Sequence, residues 1–429
     1  MPATVAYNDE PRQRLGVRKS TLWSWLIMLA IIFASARGWI VLNLGIAAAT
    51  VYHATAGLLL ILTIYGFVKS RGRGNSDLAW LKVLMGLNLL LGIINIAGDL
   101  ALGLPFDIGG FYLYLAPYIV YLFLGMPTRY LNLAVTVITL AVSYSVCDNF
   151  YETSRGPEGF LNVYKYNKIL RPNTFEALSH TGRIYRASGY TGSYHDSAEI
   201  LGMAAAFFFL RFIIRRKIID LGLSAVAMIS MTMTQSAANI VVAIATIAIF
   251  TGYSLLTARK WKTIVCIMLA MVFIGCVYAR FSDIMSIFTK RVGSEGDWSG
   301  MVNGLDPQTL FQSIPFFLLG HATAFSSGII DVESAFMKTL YQLGILHTVI
   351  ISWMMLYPLQ RFFKVRSFCP DALPSAAAVL FGFMSLIHYG SVFRETNIFL
   401  FFTFYAICLM KIRNGVRLKE EKMGRARSS

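Results

Sequence analysis

Apolar runs long enough to cross a lipid bilayer recur along the chain from Leu22 to Leu409. A bilayer core of about 30 Å needs about 20 helical residues for each crossing. Only two long polar segments, Asp148 to Asp196 and Arg280 to Asp331, interrupt the series, and 56% of all residues are hydrophobic. Helices satisfy their own backbone hydrogen bonds in lipid, and no alternating barrel pattern is present. We therefore predict an all-α, polytopic integral membrane protein.

About twelve spans fit this pattern when each apolar run is counted as one crossing. The first segment, Trp23 to Val68, must hold two spans, and Arg37 with Gly38 is the predicted outer turn between them. The later predicted spans are Leu81 to Leu102, Phe111 to Leu124, Leu131 to Val146, Ser197 to Ile214, Ile218 to Thr232, Asn239 to Leu256, Ile264 to Tyr278, Ala335 to Tyr357, Ala376 to His388 and Ile398 to Met410. Residues 1–429 are interpreted as a single membrane domain.

The positions of Lys and Arg predict the orientation, because short cytoplasmic loops collect basic residues. The clusters are Arg12, Arg14, Arg18 and Lys19; Lys69, Arg71 and Arg73; Arg129; Arg215, Arg216 and Lys217; Arg259, Lys260 and Lys262; Arg361, Lys364 and Arg366; and the basic tail 411–429. Placing all of them in the cytoplasm requires an even number of spans and puts both termini there. The two large loops, 148–196 and 280–331, then lie outside.

The net charge of +16 is explained by these basic loops, which meet anionic lipid heads. We therefore expect membrane lipids, and no nucleic acid, among the partners. Charges inside the predicted spans are nearly absent: Asp99 lies near an outer end, and His53 and His347 are expected to be packed or hydrogen-bonded. The five cysteines are dispersed and form no disulfide framework or metal motif. The pattern places the chemistry in the two loops.

The first loop ends in an Arg-, Tyr- and Gly-rich run that leads directly into a span. Arginine keeps its proton, and its planar fork matches phosphate oxygens. Arg183 or Arg186 is therefore a candidate for holding a lipid-linked phosphate at the membrane surface. The alternative is that these arginines meet phospholipid heads or pair with Glu176 and Asp196.

The second loop carries Arg280 and Arg291, then a Gly320-His321 turn, and finally Glu333 at the start of the next span. A carboxylate in the first turn of a helix is favoured by the helix dipole, so Glu333 has a structural interpretation as a cap. The functional interpretation is that Glu333 or His321 removes a proton from an acceptor hydroxyl.

In the order of these features the chain resembles the superfamily of O-antigen ligases and O-antigen polymerases of the bacterial envelope. The shared elements are an Arg-x-x-Gly segment before a helix, a helical hairpin with a small polar turn, an arginine followed by a Leu-Gly-x turn, and a closing Gly-Ile pair. In this chain they are Arg186 to Gly189, Thr234 to Ala237, Arg291 with Leu319-Gly320-His321, and Gly344-Ile345. The resemblance covers Arg183 to Leu359.

The resemblance implies a metal-independent, inverting glycosyltransferase without a cofactor. Such an enzyme consumes an undecaprenyl-diphosphate-linked oligosaccharide at the periplasmic face of the bacterial inner membrane, where both large loops would lie. Arginines of the two loops would stabilise the negative charge that develops on the departing diphosphate. These arginines are Arg186 and Arg291 here, with Arg280 as a competitor for the second position.

The chain departs from the ligases at two positions. Glu333-Ser334 stand where ligases carry His-Asn, and Ala237 follows Ser236 where ligases often place a basic residue. We therefore expect a polymerase of exopolysaccharide, capsule or O-antigen repeat units, with Glu333 or His321 as the base and a chain-length regulator protein as a candidate partner.

Two alternatives remain open at the level of the sequence. One is an O-antigen ligase, which transfers the lipid-linked glycan to lipid A-core. The other is a non-enzymatic flippase or exporter of the same glycan. The scarcity of charges in the spans and the lack of an evident internal repeat argue against the exporter.

Overall fold

The computed structural model describes residues 17–35, 37–71, 78–101, 114–155, 158–159, 161–163, 165, 187–256, 264, 268, 314–320, 335–386 and 395–428. Every regular element in these ranges is helical. The α-helices are α1 (Val17–Ser35), α2 (Arg37–Leu44), α3 (Ala48–Arg71), α4 (Ala79–Ala101), α5 (Ile119–Phe123), α6 (Thr128–Ser154), α7 (Tyr194–Arg215), α8 (Ile218–Met233), α9 (Ala237–Leu256), α10 (Ile314–Leu319), α11 (Ala335–Val365), α12 (Leu373–Ser385) and α13 (Glu395–Ser428). Single 3-10 turns at Ala116–Tyr118, Gly189–Thr191 and Pro370–Ala372 precede α5, α7 and α12.

Six helices in the described residues are long and apolar enough to cross a membrane. Their apolar spans are Ala79–Gly98, Thr128–Ser154, Tyr194–Arg215, Ala238–Leu255, Leu343–Val365 and Asn397–Glu421. The bent pair α1 and α2 passes the same test as one unit, and His53–Lys69 and Ile218–Met233 are shorter apolar helices. The chain is therefore an all-α membrane protein. The count of twelve spans stays a prediction, since the predicted span Ile264 to Tyr278 falls almost wholly outside the described residues.

The apolar runs predicted helices α6 to α9 and α11 to α13 to within a few residues at most ends, whereas α10 lies inside the segment 280–331 that was predicted to be a polar loop. The N-terminal turn also differs. Helices α1 and α2 are inclined to one another by 74°. Arg37 and Gly38, the predicted turn, instead begin α2. The chain leaves the helix again only at Gly45, whose φ of +64° is a conformation that glycine adopts without strain.

Helix α7 is the centre of the bundle. The protein buries 89% of its span, whereas only 28% of the α4 span is buried. Glycines allow the neighbouring aromatic rings to approach closely: a Cβ on Gly202 would collide with the Phe381 ring, and one on Gly382 would lie 2.7 Å from the Phe401 ring. Helices α8, α9 and α12 all pack on α7. Charged groups on such a helix are costly unless partners surround them.

The helices around α7 alternate in direction, so the bundle has two chemically distinct ends. We define the polar end by Ser193 to Glu199, Thr234 to Asn239, Ser385 and Asn397, which are joined by hydrogen bonds. We define the basic end by Arg211, Arg215, Asp220, Asp371 and Lys411. Helix α7 connects the two ends over a length of about 33 Å, enough for the bilayer core.

The histidine inside the α11 span is a packed residue. The Nε2 atom of His347 lies 2.9 Å from the Asn88 side-chain oxygen, and its Nδ1 atom lies 3.4 Å from the Asn95 amide nitrogen. A neutral ring that donates from Nε2 and accepts at Nδ1 satisfies both contacts. This confirms the expected packed and hydrogen-bonded role for His347, whereas His53 is exposed and the side chain of Asp99 lies outside the described residues.

Candidate functional site

The six residues predicted to carry the chemistry all lie outside the described residues: Arg183, Arg186, Arg280, Arg291, His321 and Glu333. Their roles therefore stay predictions. The structure does describe their immediate neighbours, because Ala187 follows Arg186, Gly320 precedes His321, and α11 begins two residues after Glu333. These neighbours give the positions at which the three predicted segments join the bundle.

The glycine of the Arg-x-x-Gly segment makes a close approach to α6. Gly189 has a φ of +59°, and a Cβ there would lie 2.5 Å from the Ser145 hydroxyl oxygen. The turn that follows is held by hydroxyls: the Thr191 and Ser197 oxygens lie 2.8 Å apart, and Ser197 donates to the Ser188 carbonyl oxygen at 2.7 Å. Glycine is therefore required at this position, and the residues directly after Arg186 have a fixed path.

The small polar turn of the α8–α9 hairpin packs against the same segment. The Ala187 backbone N–H donates to the Met233 carbonyl oxygen at 3.3 Å. Across this contact, His195 Nδ1 lies 3.4 Å from the Ser236 hydroxyl oxygen, which also accepts from the Asn239 amide at 3.1 Å. Two motifs that the resemblance linked only by their order in sequence are thus in direct contact.

Two buried carboxylates lie on the first turns of α7. Asp196 and Glu199 are both fully buried. Ser385, at the end of α12, donates to Glu199 Oε1 at 2.9 Å, and the Asn397 amide, at the start of α13, donates to Oε2 at 3.3 Å. The Asn397 amide also donates to the Asp196 carbonyl oxygen at 3.3 Å. Burial of an ionised carboxylate costs several kcal/mol, so these donors are needed to hold Glu199 in place.

The expectation that the spans nearly lack charge was incomplete. Glu199, Arg211 and Asp220 all lie within predicted spans. One or two charges leave a long apolar run recognisable, so the hydropathy pattern gave no reason to single them out. Glu199 stands one helical turn after His195 in the sequence, and this spacing on one helix face was the available signal for the polar end.

The second pair of motifs from the resemblance also meets in space. Gly344 interrupts α11 with φ +72° and ψ 173°. A Cβ at this position would lie 2.6 Å from the Gly320 backbone nitrogen. The residues at the end of α10 therefore pack directly against the interruption of α11. The Thr348 hydroxyl donates to the Gly344 carbonyl oxygen at 2.8 Å and satisfies a backbone acceptor near the interruption. The Leu-Gly-x turn and the closing Gly-Ile pair therefore form one contact.

The start of α11 reaches the polar end. The Phe336 backbone N–H donates to the Leu386 carbonyl oxygen at 2.8 Å. Leu386 directly follows Ser385, the donor to Glu199. A continuous path of contacts thus joins Phe336, three residues after Glu333, to the first turns of α7, eight residues or more after Arg186.

The hydrogen bonds of the polar end order the backbone segments that meet there. Within the described ranges, no group of three or more His, Cys, Asp or Glu side chains is placed to bind a metal ion. His195 Nδ1 and the Ser236 hydroxyl lie within hydrogen-bond distance of one another, and the tautomer of the imidazole decides which of them donates. Both side chains are buried, so the pair orders the turn beside Ala187.

No protein-family model matches this sequence, and no curated protein matches it.

Proposed function

We propose that this membrane protein is a polymerase of undecaprenyl-diphosphate-linked oligosaccharide repeat units of an exopolysaccharide, capsule or O-antigen. In this proposal the chain crosses the bacterial inner membrane about twelve times. Both termini are cytoplasmic, and the loops 148–196 and 280–331 form the active site at the periplasmic face.

The observation that carries the proposal is the convergence of the motif-bearing segments at the polar end. The residue after Arg186 is hydrogen-bonded to the α8–α9 hairpin, and the third residue after Glu333 is hydrogen-bonded to the end of α12. Glu199 accepts a hydrogen bond from Ser385 at that same end of α12. Segments separated by about 150 residues in sequence therefore approach one end of the bundle, which supports a two-loop active site there.

In the proposed reaction, a hydroxyl at the non-reducing end of a new lipid-linked repeat attacks the anomeric carbon of the growing chain. Glu333 or His321 accepts the hydroxyl proton, and the bond to undecaprenyl diphosphate breaks with inversion. Arg186 and Arg291, with Arg183 and Arg280 as competing candidates, meet the charge that develops on the departing diphosphate. Fixed guanidinium groups stabilise such charge without rearranging.

The charged residues found within the spans do not favour an exporter. Glu199 lies in the second turn of α7, Arg211 in its last two turns, and Asp220 in the first turn of α8. All three are thus near helix ends. A transport pathway is typically marked by ionisable groups near the bilayer midplane. An enzyme at the membrane surface fits this distribution better.

The test is the chain length of the glycan after incubation of reconstituted protein with an undecaprenyl-diphosphate-linked repeat unit. The native protein should produce a ladder of products, and Arg291→Ala should reduce its formation by about 100-fold or more. Arg361→Ala is the matched control, because Arg361 is a basic residue near the C-terminal end of α11, far from Glu333. This variant should leave the ladder unchanged.

An unextended substrate, with protein that is folded and monodisperse, would contradict the proposal. Transfer to an added lipid A-core acceptor would then indicate a ligase. Movement of the unchanged substrate across the vesicle membrane would indicate a flippase.

A further inference from the structure

A cleft opens at the basic end, on the opposite side of the bundle from the proposed active site. The cleft is shallow and open to the surface, and its walls come from α6, α7, α12 and α13 together with the 3-10 turn before α12. Three cationic side chains line it: Arg211, Arg215 and Lys411. From Glu199 to Arg215 the helix α7 rises about 24 Å, so the cleft is remote from the polar end.

The Arg211 guanidinium is held in a fixed position. Its Nε atom donates to Asp220 Oδ1 at 2.8 Å, and a terminal nitrogen contacts the same oxygen. Its central carbon lies 4.7 Å from the Phe208 ring centre and 5.1 Å from the Phe207 ring centre. A guanidinium has five N–H groups, and two of them serve Asp220. The remaining ones are available, in a preorganised position, to a second anion.

The cleft keeps a positive charge after its internal pairing is counted. Arg211, Arg215 and Lys411 contribute three positive charges, and the carboxylates of Asp220 and Asp371 contribute two negative ones. One net positive charge remains. Arg215 is exposed and makes no ion pair within the described part of the chain, so its charge is directed to what enters the cleft.

The other walls of the cleft are apolar. Phe207, Ile214 and Ile407 line it beside the three cations. A free phosphate ion gains nothing from such walls, whereas the glycerol and upper acyl carbons of a lipid do. The cleft also lies at the end of the bundle at which several helices carry basic clusters, and basic pockets between membrane helices are suited to anionic headgroups.

We propose that this cleft binds the phosphate headgroup of an anionic phospholipid. The two arginines and the lysine contact the phosphate oxygens, and the apolar side chains contact the first carbons of the lipid. The proposal is independent of the glycan chemistry at the polar end.

The test is native mass spectrometry of delipidated protein in detergent, titrated with phosphatidylglycerol or with phosphatidylcholine of the same acyl chains. We expect phosphatidylglycerol to be retained about tenfold more tightly than phosphatidylcholine. Arg215→Gln and Lys411→Gln should each weaken phosphatidylglycerol binding about tenfold. Lys217→Gln and Arg361→Gln, which change basic residues at helix ends of the same side outside the cleft, should change binding less than twofold.

Three results would overturn the proposal. Equal weakening by the cleft variants and the control variants would mean a general attraction of the basic surface. Equal retention of the two lipids would remove the role of charge. Displacement of the bound lipid by inorganic phosphate at the same concentration would identify a site for the free ion. Because Arg215 is exposed, its Gln variant is expected to fold, and a matching elution volume and melting temperature would verify this.

Discussion

The two ends of α7 hold buried carboxylates by different means. At the polar end, Glu199 accepts hydrogen bonds from Ser385 and Asn397, which are 186 and 198 residues distant in sequence. At the basic end, Asp220 is held by Arg211, only nine residues away in the same helical hairpin. The polar end therefore depends on assembly of the whole bundle, whereas the Arg211–Asp220 pair at the basic end is completed locally by α7 and α8. The proposed chemistry lies at the end that forms only when the distant segments have come together.

Asp220→Ala should have the largest effect on stability, because it leaves the guanidinium of Arg211 buried without its partner. The Arg211 side chain is 12% exposed and the Asp220 side chain is 1% exposed. Removal of one member of a buried pair costs about 3–5 kcal/mol. The free energy of unfolding, measured by SDS titration in mixed micelles, should fall by about this amount.

The double variant Arg211→Met with Asp220→Leu separates the cost of an orphaned charge from the value of the pair. Replacement of both members by apolar residues is often neutral, so most of the lost stability should return. A double variant as unstable as Asp220→Ala would show that apolar residues cannot replace the ion pair. It would contradict the interpretation that the pair acts only within the α7–α8 hairpin.

Gly344→Ala should have the next largest effect, through the contact that brings α10 to α11. The φ and ψ of Gly344 lie in a region that is almost exclusive to glycine, and other residues there cost about 1–3 kcal/mol. An added Cβ would also collide with the backbone of Leu318 and Gly320. We expect a loss of about 2–3 kcal/mol in the free energy of unfolding.

Gly252→Ala in α9 is the matched control for this change. A Cβ at Gly252 would have nothing within 4 Å, so the substitution should leave stability unchanged or raise it by up to about 1 kcal/mol. Equal responses at the two glycines would mean that the interruption of α11 is not a constraint on the fold.

Glu199→Gln tests the polar end with a smaller change. A carboxylate accepts from Ser385 and Asn397 at once, but a glutamine amide offers one oxygen, and its NH₂ group opposes one of the two donors. We expect a loss of about 1–2 kcal/mol in the free energy of unfolding. Glu420→Gln on the exposed tail is the control. An unchanged stability would indicate that Glu199 is protonated in the folded protein.

The sequence predicted the helices well because their signal is local. Runs such as Ser197 to Ile214 and Ile218 to Thr232 match α7 and α8 to within three residues. At the N-terminus, the predicted turn at Arg37 and Gly38 is the start of α2, directly after the 74° bend, and a second break follows at Gly45.

The candidate site was less accessible to sequence reasoning. The segment after Arg186 contacts the end of α8, and Gly320 contacts Gly344, but the sequence showed only the order of these motifs. The network of Glu199 with Ser385 and Asn397 could not be predicted, because each residue is unremarkable within its own helix and only the packing of α7, α12 and α13 brings them together. Ser385 and Asn397 are polar residues at helix ends, where such residues are common and do not by themselves mark a site.

The smallest effect is expected at Cys369, which reports how tightly the turn between α11 and α12 is packed. Burial raises the pKa of this thiol, and the nearby Asp371 carboxylate raises the pKa further. Maleimides react with the thiolate, so Cys369 should react slowly at pH 7 and its rate should keep rising about tenfold per pH unit beyond about pH 8.5, where an ordinary cysteine levels off. The stability gained from burying the neutral thiol is complete below the unfolded-state pKa and is lost as the pH rises above it.

A variant in which Cys369 is the sole cysteine provides the measurement. Its control carries Ser367→Cys instead, at an exposed position of the same turn. The control should react faster at pH 7 and reach its plateau at a lower pH. Equal rates and equal plateaus would show that the turn opens readily. The Arg211–Asp220 pair of the α7–α8 hairpin would then be the firmly held part of the basic end, and its contrast with the polar end, which is assembled from distant segments, would become sharper.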